Sequence, residues 1–103
     1  MKLILNGNVN VYYIQTLCMI FFPGEKFGAA EATREDAPVL SLDLTETAEG
    51  VEAFVEVTAN GKSASARKLQ PLSEDGDRDK TLKLAVGAAV IAACGELMGY
   101  RPS

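Results

Sequence analysis

At 103 residues, with 48% hydrophobic and 23% charged side chains, the chain supports a single domain and is too apolar for disorder. Ten basic residues against fourteen acidic ones leave a net charge of −4, and the cations are scattered. That argues against nucleic acid or an anionic membrane as partner, because both call for a basic stripe. Histidine is absent, which excludes Ser-His, Cys-His and His-metal constellations.

Lys2–Asn6 is a short apolar run that stops at the turn signal Asn6-Gly7-Asn8. It predicts a first strand and leaves no signal-peptide core, so the expected location is cytoplasmic. Asn10 is placed to cap a helix through its side-chain oxygen. Val11, Ile14, Leu17, Cys18 and Phe21 come next at spacings of three and four, the face of a helix that Pro23-Gly24 ends. Residues 24–37 show no period and predict a loop. Its Gly24-Glu25-Lys26-Phe27-Gly28 stretch lacks the spacing and the Lys-Ser/Thr ending of a phosphate loop.

Leu40, Leu42 and Leu44 alternate with Ser41, Asp43 and Thr45, the pattern of a half-buried strand. Val51, Ala53, Val55 and Val57 alternate in the same way. Pairing Leu44 with Val55 and Leu42 with Val57 would put these side chains on one face. Asn60-Gly61 predicts a two-residue hairpin turn. It leads into a strand over Lys62–Gln70, with Ala64 opposite Val57, Ala66 opposite Val55 and Arg67 diagonal to Glu56. Lys62, Arg67 and Lys68 read as solvated strand charges rather than a binding patch. Ser73-Glu74-Asp75-Gly76-Asp77 lacks the downstream glutamate of a calcium loop, and its acids suit a helix N-terminus.

The last helix runs from about Asp77 to Met98, with Gly99 as its stop. Its uncharged run Leu84–Gly95 is twelve residues, short of the roughly 18 a membrane span needs. Leu82, Val86, Ala89, Val90, Ala93 and Leu97 fall on the side assigned to the sheet. On the far side Leu84, Ile91 and Met98 recur every seven residues, with Ala88 and Gly95 between them. Leu84, Ala88, Ile91, Gly95 and Met98 are therefore the candidate interface. The competing expectation is that the 24–37 loop folds back over this stripe. Cys18 and Cys94, 76 positions apart with no CxxC partner, build neither a zinc nor an iron–sulfur site and read as buried, unbridged thiols.

The element order is β-α-β-β-β-α. It predicts an α+β two-layer sandwich with a mainly antiparallel sheet and two helices on one face. The first strand is expected in the same sheet, at an edge the sequence does not specify.

Three stretches carry a family resemblance: Met1-Lys2-Leu3-Ile4-Leu5-Asn6-Gly7, Phe21-Phe22-Pro23-Gly24-Glu25-Lys26 and Leu97-Met98-Gly99-Tyr100-Arg101-Pro102-Ser103. Together with the preceding helix they resemble the amino-terminal region of the HemZ-type, oxygen-independent coproporphyrinogen III oxidase-like proteins. The resemblance implies a longer parent with a radical S-adenosylmethionine barrel after this region. In that barrel a Cys-x3-Cys-x2-Cys motif holds a [4Fe–4S] cluster, and propionate side chains of coproporphyrinogen III become vinyl groups in haem biosynthesis. Cys18 and Cys94 match no position of that motif, so no catalytic, cofactor-binding or metal-binding residue carries over.

Residues 1–103 are accordingly expected to be one non-catalytic domain, ending before the catalytic part, with a docking or substrate-access role. No cofactor is expected in this chain; the cluster and S-adenosylmethionine belong to the implied parent. The expected partner is the catalytic domain of the same polypeptide, or a second copy in the excised form. The alternative is a free-standing α+β interaction module that forms a homodimer.

Overall fold

The computed structural model describes residues 1–28 and 35–99. Along the chain it forms β1 (Lys2–Asn6), α1 (Val11–Phe21), β2 (Val39–Glu46), β3 (Gly50–Ala59), β4 (Lys62–Pro71) and α2 (Arg78–Leu97). The four strands make one sheet in the order β1-β2-β3-β4. β1 runs parallel to β2, while β2–β3 and β3–β4 are antiparallel. This is the expected α+β sandwich. The edge that receives β1 is the new information: α1 carries the chain back so that β2 can lie parallel beside β1, the ordinary geometry of a β-α-β crossover.

The β2–β3 register differs from the expected one by two residues. Leu42 faces Val55, Leu44 faces Ala53 and Leu40 faces Val57. The turn sets this offset. The Thr47 amide donates to the Gly50 carbonyl at 2.8 Å, and the Thr47 hydroxyl accepts from the Glu49 and Gly50 amides at 3.2 Å. The hairpin therefore closes around Ala48-Glu49. A shift of two preserves the side-chain face, so the alternation pattern is indifferent to it.

The β3–β4 hairpin agrees with the sequence. Asn60 and Gly61 adopt φ of 54° and 76°, the pair of positive values the tight turn requires. Val57 faces Ala64 and Val55 faces Ala66. Arg67, however, pairs with Glu52 rather than Glu56, and its guanidinium lies 4.8 Å from the centre of the Phe54 ring. Both Glu52 and Glu56 are diagonal neighbours of position 67, and the cation–π seat over Phe54 is compatible with the Glu52 side.

Leu40, Leu42, Val51, Val55 and Val57 are fully buried beneath the helices, together with Ile14, Cys18, Val90 and Cys94. Val11, grouped by spacing with the buried face of α1, is 39% exposed instead. It is the first residue of the helix. Residues 29–34 of the 24–37 segment lie outside the described residues. In the described part, the Met1 amino group donates to Glu25 Oε1 at 3.1 Å and to the Lys26 carbonyl at 2.8 Å.

Candidate functional site: the outer face of the helical layer

α1 begins at Asn10, whose Oδ1 accepts from the Tyr12 and Tyr13 amides at 2.9 and 3.3 Å. This satisfies two of the donors a helix start leaves open. Ile14, Leu17 and Cys18 turn inward. α2 starts at Asp77, which caps the Lys80 amide at 3.2 Å. Behind it, the fully buried Thr81 hydroxyl donates to the Asp77 carbonyl at 3.0 Å and accepts from the Ser73 amide at 3.3 Å. Hydrogen bonds from the Ser73 hydroxyl and the Asp77 amide hold the Asp75 carboxyl below its ordinary range. The acids of this segment thus serve the turn and the helix start. Arg78 reaches back to Glu46 at 3.5 Å and to the Thr47 carbonyl at 3.4 Å, pinning the start of α2 to the β2–β3 turn.

The two helices meet at Gly87. A Cβ built there would lie 2.6 Å from the Tyr13 hydroxyl oxygen, which donates to the Lys83 carbonyl at 3.2 Å. The obstructing atom is the far end of a side chain that can swing away. Alanine would meanwhile recover about 1 kcal/mol of helix propensity over glycine. Gly87→Ala is therefore expected to change stability by less than about 1 kcal/mol in either direction, with loss of the Tyr13 hydrogen bond offsetting the propensity gain. A thermal melt checks this; a large drop would mean that Tyr13 is locked in place.

On the sheet side of α2, Val86, Ala89, Val90 and Ala93 are buried as expected, and Leu82 and Leu97 are half-buried. On the far side Leu84, Ile91 and Met98 are 48%, 50% and 42% exposed, and Ala88 is exposed. Four of the five candidate interface residues therefore share an uncovered stripe. Gly95 does not join them at the surface: it shares their side by helical spacing, yet it is buried. Of the 24–37 segment, Glu25 and Asp36 line the same hollow as Met98, and residues 29–34 lie outside the described residues.

Sequence reasoning missed a companion stripe on α1. Tyr12, Met19 and Ile20 are 75%, 57% and 67% exposed, opposite the buried Ile14 and Cys18. The signal was available: Val11–Phe22 contains no charged residue, which is unusual for a helix with one face in water. Both stripes point away from the sheet on the same layer. Together they hold six of the exposed large hydrophobic side chains of the described surface.

No cluster of three metal-ligating side chains occurs among the described residues. Burial pushes the Cys18 thiol up to about 12, helped by nearby Cys94, and pushes Cys94 up to about 11. Two protonated, buried, unbridged thiols do not fit a three-cysteine iron–sulfur motif. At the end of the sandwich where α1 and α2 finish, a hollow of about 450 Å³ is lined by Phe22, Pro23, Pro38, Lys62, Leu97 and Met98 among others. Its Glu25 is already engaged by the Met1 amino group. Among the described residues no helix is long and apolar enough to cross a membrane.

No family model and no curated protein matches the sequence. Among solved structures, the chain is similar to the N-terminal domain of Protein Y from Thermus thermophilus. The TM-score is 0.58 over 97% of this chain and 96% of that one, at 13% sequence identity. At that identity the likeness establishes a shared fold of two helices on a four-stranded sheet and leaves function to the site.

Proposed function

We propose that this chain is the non-catalytic amino-terminal domain of a HemZ-type, oxygen-independent coproporphyrinogen III oxidase-like protein, and that it docks on the catalytic part or controls access of substrate to it. The observation that carries this reading is the uncovered apolar stripe of Leu84, Ala88, Ile91 and Met98, on a domain whose titratable groups serve turns, caps and strand faces. Leu84, Ile91 and Met98 are already about half buried, so covering what remains contributes roughly 1 kcal/mol each, enough to bias the position of a covalently attached neighbour. The short sequence stretches that resemble the family supply the identity of that neighbour.

In the parent the redox chemistry would belong to the barrel, where the iron–sulfur cluster and S-adenosylmethionine reside. The domain would contribute position alone. Reading the coding sequence beyond Ser103 tests this directly. A Cys-x3-Cys-x2-Cys motif in the same frame is the expected result, and a stop codon immediately after Ser103 overturns it. The second reading, a free-standing homodimeric interaction module, draws on the same exposed stripe and gains if the stop codon is found.

A further inference from the structure

β4 is an outermost strand of the sheet, paired with β3 on one side only. Its ten residues follow β3 in one continuous register without a bulge. The other edge strand, β1, is five residues long. A long, regular edge is a template for a further strand.

The register fixes which backbone groups face outward. Ala59 and Lys62 close the two-residue turn, where the closing pair exchanges both ladder bonds. At the far end the Leu72 amide donates to the Glu49 carbonyl at 3.0 Å, in the same phase. Even-numbered residues of β4 therefore bond to β3. The amides and carbonyls of Ser63, Ser65, Arg67 and Leu69 point away from the sheet, and all four residues are exposed. Pro71, with no amide to offer, ends this row at the next outward position.

The side chains of the edge carry a charge pattern. Lys62–Pro71 holds three cations and no acid, in a chain whose net charge is −4. Arg67 is engaged on the outer sheet face by Glu52 and the Phe54 ring. Lys62 and Lys68 share the helix side of the strand with buried Ala64 and half-buried Ala66 between them. Neither lysine makes an ion pair among the described residues. Lys62 also borders the hollow that contains Glu25 and Asp36, so Lys68 carries the sharper test. A second copy brings the same three cations to the joint. An antiparallel pairing of two β4 strands centred on Ser65 sets Lys62 of each copy opposite Lys68 of the other. Like charges directly opposite are destabilising, so the lysines that repel a second β4 select an acidic strand.

We propose that the free edge of β4 accepts an extended acidic segment of another protein as a fifth strand. Main-chain bonds to Ser63, Ser65, Arg67 and Leu69 supply the affinity, and side chains at alternate positions supply the choice of partner. Acids six residues apart in the segment face Lys62 and Lys68, with small apolar residues between them over Ala64 and Ala66. The site is the sheet edge rather than the α2 stripe, so it stands or falls apart from the identity of any parent protein.

The probe is a seven-residue peptide, blocked at both termini, with aspartate at each end, valine at the third and fifth positions and threonine elsewhere. Amide hydrogen exchange of the wild-type chain is followed by NMR. Without peptide, Ser63, Ser65 and Leu69 are expected to exchange fast and Ala64, Ala66 and Lys68 slowly. Saturating peptide is expected to slow the outward amides by roughly tenfold or more. Lys68→Glu is expected to melt like the wild type and to bind this peptide roughly tenfold more weakly. It is also expected to bind the version with lysine at each end more tightly than the wild type does. Failure of the wild type to bind at about 5 mM peptide overturns the proposal. Unchanged exchange at the outward amides with peptide bound overturns it too, as does equal wild-type affinity for the acidic and basic peptides, whatever Lys68→Glu does. A free chain of doubled mass whose outward amides already exchange slowly also overturns it, because a second copy then holds the edge.

Discussion

Replacing Gly50 with alanine is expected to lower the thermal midpoint by roughly 15 °C, the largest effect of a single methyl group anywhere in the described chain. Gly50 opens β3 and faces Pro71 at the end of β4. A Cβ there would sit 2.2 Å from the Gln70 carbonyl oxygen and 2.9 Å from the Pro71 Cα. Unlike the tyrosine hydroxyl at Gly87, both obstacles are backbone. They are held in place by the β3–β4 ladder and by the Leu72 amide, which donates to the Glu49 carbonyl at 3.0 Å. Relief would require the strand ends to separate, at a cost of about 3 kcal/mol. Differential scanning calorimetry of wild type, Gly50→Ala and Gly87→Ala measures the contrast. Equal midpoints for the two variants would show that the ends of β3 and β4 part without penalty.

Raising the pH from 8 to 10 is expected to remove roughly 3 kcal/mol of stability through the two thiols alone. Burial raises Cys18 to about 12 and Cys94 to about 11, from an ordinary value of 9.0. The folded chain thus binds these protons more tightly than the unfolded chain does. Their stabilising contribution is complete below pH 9 and is lost as pH climbs from there through the folded values. At pH 10 the unfolded thiols are mostly ionised while the folded ones are not, which amounts to about 1–2 kcal/mol for each. Urea titrations of the wild type and of a Cys18→Ala/Cys94→Ala variant at both pH values isolate the effect from lysine and tyrosine titration. The variant starts lower, because two buried sulfur atoms are missing, but its stability falls less with pH. Parallel pH profiles would refute thiol linkage. Rapid labelling of both thiols in the native chain would show that the helices open far below global unfolding.

The turn chemistry and the alternating runs were sufficient to place every described strand and both described helices, because those signals act within a few residues. Asn60-Gly61 requires positive φ, Asn10 and Asp77 offer oxygens to helix amides, and Gly99 stops α2 in the left-handed region. Where these local devices act, sequence and structure agree to within a residue or two. The outer stripe of α2 was legible for the same reason, since Leu84, Ile91 and Met98 repeat with the helical period.

Tertiary structure decided the rest. The β2–β3 register depended on the Thr47 hydroxyl closing the turn around Ala48-Glu49, and a two-residue slip leaves the hydrophobic alternation intact. Arg67 settles on Glu52 rather than Glu56 while lying over the ring of Phe54 on the neighbouring strand, and the two glutamates are equivalent diagonal neighbours in the sequence pattern. The place of β1 at the edge beside β2 depended on the crossover through α1. The spacing placed Ile14, Leu17 and Cys18 of α1 inward, but it did not say that Tyr12, Met19 and Ile20 on the other side would stay uncovered. Helical period, capping and tight turns are properties of a few consecutive residues, and this sequence determines them unaided. Register, partner choice and the face left uncovered depend on residues distant in sequence, and only packing of the whole domain decides among them.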